Sequence, residues 1–129
     1  MEHDIPDNVR TLIASHITSV VQLELLLLLH ADPTRPRTAR AISEELRIDA
    51  AWVTTQLRAL CSASLLTCTD SPQPAFLYSP ATPALRDAVD GLSQAYAARR
   101  VTIIGLIFSQ PVDPIRTFTD AFRLRKEKD

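Results

Sequence analysis

Apolar residues recur at helical spacing from near the start of the chain. Val9, Leu12, Ile13, Ile17 and Val20 form one stripe, with His16 its polar member. Pro6 suits the first turn of that helix, predicted over 6–18. Thr18 and Ser19 interrupt the stripe. Ser19 and Gln22 are spaced as a capping box, so a second helix starts there and runs through VVQLELLLLLH to His30. Being apolar nearly all round, it belongs at the centre of the domain, with Gln22 and Glu24 on a narrow wet side. Asp32-Pro33 ends it, and DPTRPRT follows as a loop. Thr38 can cap a third helix, Ala39–Leu46, that turns Ala41, Ile42 and Leu46 inward and leaves Arg40, Ser43, Glu44 and Glu45 wet. Arg47-Ile48-Asp49 is a turn with Ile48 in the core. Asp49 caps the next helix, 50–63, whose buried seam is Val53, Leu57 and Leu60. Its opposite face presents Ala51, Trp52, Thr54, Thr55 and Arg58.

Residues 65–69 and 76–78 read as two short strands around the turn DSPQPA. Two such strands are marginal alone and must lean on the helices. Thr82 caps and Pro83 opens a long helix, 83–108, with Leu85, Val89, Leu92, Tyr96, Arg99, Ile103 and Leu106 at alternating spacings of four and three. Around 101–108 the apolar surface widens beyond one stripe. Pro111 stops this helix, and Asp113-Pro114 opens a last one, 114–126, with Ile115, Phe118 and Phe122 on one face. Its end, RLRKEKD, carries cations that suit a helix C-terminus. The pattern is a mainly α single domain, with a core at about 20–80 and flanking helices 6–18, 83–108 and 114–126.

Composition narrows this picture. Two glycines argue against an all-β fold and against a phosphate-cradling loop. The net charge of −1 argues mildly against a strongly basic nucleic-acid binder. The charge is unevenly spread, however: residues 1–34 sum to about −4, 35–60 to about +2 and 99–129 to about +3. Cys61 and Cys68 have no metal spacing and are too few for a disulfide framework, so a reducing, cytoplasmic setting is expected. They read as small apolar packing residues, with a redox-sensing pair as the alternative. The run around Leu25–Leu29 is too short to span a bilayer, and the acidic start MEHDIPDN does not fit a secretory signal.

The stretch AISEELRIDAAWVTTQLRALCSASLL, followed by strand, turn and strand, resembles the winged helix-turn-helix family, and more closely the small bacterial transcriptional regulators of the MarR type. Ala41, Ile42 and Leu46, a three-residue turn, then Val53, Leu57, Leu60 and a closing Leu-Leu carry the resemblance. It implies a mainly α winged helix-turn-helix with a short two-stranded wing and extra N- and C-terminal helices. Glycine is frequent in that family in the turn and just before the closing leucines; here Arg47 and Ser64 stand there. The wing tip, 69–75, carries no Arg or Lys, only Asp70, which argues against contact of the wing with DNA.

The resemblance implies double-stranded DNA as a partner, read through the helix 50–63. Candidate DNA-binding residues are Arg35, Arg37 and Arg40 with Arg58 for phosphates, and Ala51, Trp52, Thr54 and Thr55 for base edges. The seam of the long helix points to a homodimer, with Ile13, Leu92, Tyr96, Ile103, Ile107, Phe118 and Phe122 as interface candidates. Arg99 and Arg100 would sit at its edge, paired with Asp87, Asp90 or Asp113. The alternative is a winged-helix interaction module that binds another protein through Trp52 and the basic tail Arg123, Arg125, Lys126 and Lys128. His3, His16 and His30 lie in unrelated contexts and no catalytic or metal motif is recognisable, so neither an enzyme nor a cofactor is expected, and no membrane partner.

Overall fold

The computed structural model describes residues 5–69 and 71–109. Among these residues the order is α1 (Asp7–His16), α2 (Val20–His30), β1 (Arg37–Thr38), α3 (Ala39–Leu46), α4 (Ala50–Ser62), β2 (Leu66–Cys68), β3 (Ala75–Tyr78), α5 (Pro83–Ala98) and α6 (Arg100–Phe108). This is a mainly α winged helix-turn-helix, as the sequence predicts. The predicted last helix, 114–126, with Phe118, Phe122 and the basic tail, lies outside the described residues.

Local chemistry sets the helix starts. The Ser19 hydroxyl accepts from the Gln22 amide at 3.1 Å, Thr38 from Ala41 at 3.0 Å, Asp49 from Trp52 at 3.0 Å and Thr82 from Leu85 at 3.1 Å. Two helix ends use the left-handed region. At the end of α4, Ser64 has φ 68°; its amide reaches the Cys61 carbonyl, and the Leu65 amide reaches that of Leu60. At the end of α3, Arg47 has φ 59°, the Ile48 amide reaches the Ser43 carbonyl, and the Ser43 hydroxyl donates to the Ile48 carbonyl. These are the two positions where the family resemblance leads one to expect glycine.

One core unites the helices and the wing. Leu23, Leu25, Leu26 and Leu29 of α2 lie at its centre, against Ile42, Val53, Leu57, Leu60 and Phe76 on one side and Val9, Ile13, Val89, Leu92 and Ile103 on the other. Two polar ties fasten α2 to the C-terminal helices. The Glu24 carboxylate accepts from the Tyr96 hydroxyl at 2.9 Å and from Arg100 at 3.2 Å, while the Arg100 guanidinium lies 4.9 Å from the Tyr96 ring centre. His30 and Asp90 meet at 2.9 Å, and the His30 ring packs edge-on to Tyr78. Helices α1 and α5 approach closely: a Cβ on Gly91 would lie 3.0 Å from a Val9 methyl. No single helix among the described residues is long and apolar enough to cross a membrane.

The structure departs from the sequence reading in five places. Gln22 is buried, not wet: its side-chain oxygen turns back to accept from the Thr18 amide at 2.8 Å, where α1 and α2 meet at 117°. On α3, Ala39 and Ile42 take the inner face, while Ala41 is exposed because one residue turns the helix by about 100°. Leu46, in the last turn before Arg47, runs off the edge of the core and stays exposed. The wing has a third strand. Thr38 and Arg37 pair antiparallel with Ala75 and Phe76, giving the order β1-β3-β2, with Leu66, Thr67 and Cys68 opposite Tyr78, Leu77 and Phe76. Finally, the helix 83–108 is broken. Arg99, at φ −139° and ψ 58°, closes α5 and opens α6, which packs against α1 and α5 and so brings Ile103 and Ile107 into the core.

Candidate nucleic-acid interface

Helix α4 buries Val53, Leu57 and Leu60 and leaves its other face to solvent, because its apolar residues follow a single seam. Ala50, Ala51, Trp52, Thr55 and Arg58 are exposed and Thr54 is half-buried. Trp52 is 40% exposed in the first turn. The hydroxyls of Thr54 and Thr55 donate to the Ala50 and Ala51 carbonyls at 2.8 and 3.1 Å.

A groove of about 190 Å³ runs between this N-terminal turn, the start of α3 and the wing tip. Its walls are Thr38, Ala39 and Arg40 on one side, Ala50, Ala51 and Thr54 on another, and Pro72, Gln73 and Pro74 on the third. The tip is stiffened locally. The Thr69 hydroxyl accepts from the Ala75 amide at 2.9 Å, and the Ser71 hydroxyl donates to the Gln73 carbonyl at 3.0 Å. The three tip residues in the groove are not singled out by the sequence, since Pro-Gln-Pro reads there only as a turn.

The predicted cations are placed unequally. Arg40 lines the groove and pairs loosely with Glu44, one turn on, at 3.4 Å. Arg58 is exposed on α4, and neither it nor the exposed Arg47 has an ion-pair partner among the described residues. Arg35 stays in the loop, exposed, 3.8 Å from Asp32. Arg37 is withdrawn from the candidate surface: it lies in β1, its side chain is 11% exposed, and it binds Glu45 of α3. Its positive charge fastens the third strand to the helix and is spent there.

The dimer candidates divide differently. Ile13, Leu92, Ile103 and Ile107 are buried within the chain's own core, so they shape the outer surface from behind. Tyr96 is half-buried and tied to Glu24. Arg100 finds Glu24 in place of Asp87 or Asp90, and Asp90 goes to His30. The large apolar side chains that α6 exposes are Val101, 84% exposed, and Phe108, 76% exposed, seven residues apart on one face with Gly105 between them. The widening of apolar surface over 101–108 was the only signal for them in the sequence.

Cys61 and Cys68 are free and half-buried, and they face each other across the junction of α4 and β2. Burial, then the Cys68 thiol, pushes Cys61 from 9.0 up to about 12, against the pull of Arg58. That thiol is a poor nucleophile at neutral pH. Among the described residues no three His, Cys, Asp or Glu gather where they could hold a metal ion.

No family model and no curated protein matches the sequence. Among solved structures the chain is similar to a mutant of MepR from a multidrug-resistant S. aureus clinical isolate, with a TM-score of 0.53 at 15% identity over 96% of this chain and 86% of that one. It is similar to the heme sensor PefR from Streptococcus agalactiae in complex with heme, with a TM-score of 0.54 at 14% identity over 93% and 81% of the two chains. The transcriptional regulator Tm0710 from Thermotoga maritima gives 0.51 at 14% identity over 95% and 88%. The shared architecture is the winged helix-turn-helix, and at such identities the likeness shows the fold alone.

Proposed function

We propose that this chain, built on the MarR-type winged-helix fold, is a transcriptional regulator that binds duplex DNA as a homodimer through α4. The observation that carries the reading is the uncovered N-terminal turn of α4 beside the groove it shares with Arg40 and the wing tip. A helix that enters the major groove meets base edges with its first residues, here Ala51, Trp52, Thr54 and Thr55. Arg40 and Arg58 bind the flanking phosphates, and Arg35 sits further out on the loop. The dimer forms through the outer face of α6, where Val101 and Phe108 are left bare, and places two copies of α4 in successive major grooves, about 34 Å apart.

The test is retention of genomic duplex fragments by the full chain in low salt. With Arg40 and Arg58 on each subunit about four phosphates are neutralised, so the log–log dependence of affinity on salt has a slope of about −4, shallow for a repressor-like protein. Arg58→Ala lowers affinity and reduces that slope while the dimer persists. Loss of all retention in low salt overturns the reading.

A second reading is an interaction module without DNA affinity. The specific observation in its favour is the neutralisation of Arg35, Arg37 and Arg40 by Asp32, Glu45 and Glu44, beside a wing tip with no cation among its described residues. In that case capture of a protein partner depends on Trp52, and duplexes are not retained.

A further inference from the structure

We infer that α4 reads thymine methyl groups, with Ala51, Thr54 and Thr55 as the specificity-determining residues for an A·T base step; this rests on the duplex-binding reading above. A threonine hydroxyl has one hydrogen to donate. In Thr54 and Thr55 that hydrogen is already given to the carbonyls of Ala50 and Ala51, one turn back. The stiffness of a β-branched side chain fixes what is left. Each threonine offers a methyl group and an oxygen that can only accept. Ala50 and Ala51 add two more methyls and no polar atom.

The chemistry of the groove selects among bases. Guanine shows two acceptors in the major groove, N7 and O6, and asks for paired donors such as those of Arg. The stretch formed by Ala50, Ala51, Thr54 and Thr55 has none, and Trp52 beside it brings a single indole N–H and not a pair. An A·T pair shows a methyl on thymine and an amino donor on adenine, which match a surface of methyls and acceptors. Cytosine supplies the amino donor without the methyl. Residues 51, 55 and 58 share one helical face, so Arg58 lies one turn beyond the reading residues, within reach of the backbone.

Random duplexes retained by the full chain at low salt are sequenced, and each thymine of the recovered half-site is then replaced by uracil, which lacks only the C5 methyl. The expected half-site places A·T pairs at its centre, and each uracil at a contacted step weakens binding about fourfold, the worth of one buried methyl. A Thr54→Ser, Thr55→Ser double variant, which keeps only the Ala50 and Ala51 methyls, narrows the difference between thymine and uracil duplexes. The corresponding valine pair, with an extra methyl on each side chain, widens it. Thermal melts of both variants establish that they are folded. Half-sites centred on guanine, or uracil duplexes bound as tightly as thymine ones, overturn the inference and leave duplex binding standing. Failure to retain any duplex overturns both.

Discussion

The hydroxyl of Tyr78 is buried without a hydrogen-bond partner among the described residues. Such a group costs about 1–3 kcal/mol, whereas the ring packs well against His30, 5.2 Å away. Tyr78→Phe is therefore expected to raise the unfolding free energy by about 1 kcal/mol in urea melts. Burial, then the Asp90 carboxylate, also raises this phenol from 10.0 to about 12, opposed by Arg86. The folded state keeps a proton that the unfolded chain loses, so the associated stability is present below the unfolded pKa and lost as pH rises through 10 toward 12. Cys61 behaves the same way, from 9.0 toward about 12. Melting temperature should fall from about pH 9 upward, and less steeply in Tyr78→Phe; a flat profile to pH 11 contradicts this assignment. Backbone strain at single residues was legible in advance. Arg47 and Ser64 stand where the family resemblance calls for glycine, and both adopt positive φ. A side chain there costs about 1 kcal/mol, so Ser64→Gly is expected to raise the melting temperature by about 4 °C, and Ser64→Val to lower it. What the sequence did not reveal at this scale was pairing: nothing in it says that Arg37 turns inward to Glu45 while Arg58 meets no acid among the described residues.

The helix starts were legible because capping is local. Ser19, Thr38, Asp49 and Thr82 each bond an amide three residues on, and a spacing of three is visible in a string of letters. Strand β1 was hidden because two residues cannot display an alternation, and its partner Ala75–Tyr78 lies far along the chain. The break at Arg99 was hidden for a related reason. Ala97, Ala98 and Arg100 contain no breaker, and it is the packing of α6 on α1 and α5 that interrupts the helix. Closeness between elements is equally a tertiary fact. A Cβ on Gly91 would require the fully buried Val9 methyl, 3.0 Å away, to give by a few tenths of an ångström, and a larger side chain would require more. Gly91→Leu should therefore destabilise the protein by about 2–3 kcal/mol. Gly105 has nothing within 4 Å of the same added atom, so Gly105→Ala should stabilise α6 by about 0.5–1 kcal/mol. Chemical denaturation of the two variants measures both signs; equal effects would deny the close approach of α1 to α5.

For the whole molecule, the buried half of the motif was the more readable half: Ile42, Val53, Leu57 and Leu60 follow helical spacing and all lie in the core, while Ala41 and Leu46, also expected there, are exposed. The outward half was not, because spacing says which side chains leave the core and not what they meet. The proposed assembly shows the same limit of periodicity. The seam of fours and threes along 83–108 closes the chain's own core through Leu92 and Ile103, and the bare surface lies on the other side of α6. Phe108→Glu places a charge in the centre of the proposed contact and is expected to raise the dimer dissociation constant at least tenfold in sedimentation, about 1.4 kcal/mol or more. An unchanged association state moves the contact elsewhere. Trp52, finally, is the chain's only tryptophan, and it stands half in water at the tip of α4. The protein thus carries its own optical reporter: all indole emission comes from one ring at the proposed docking point. Quenching on addition of duplex, or a blue shift on addition of a protein partner, would distinguish the two occupants without any label.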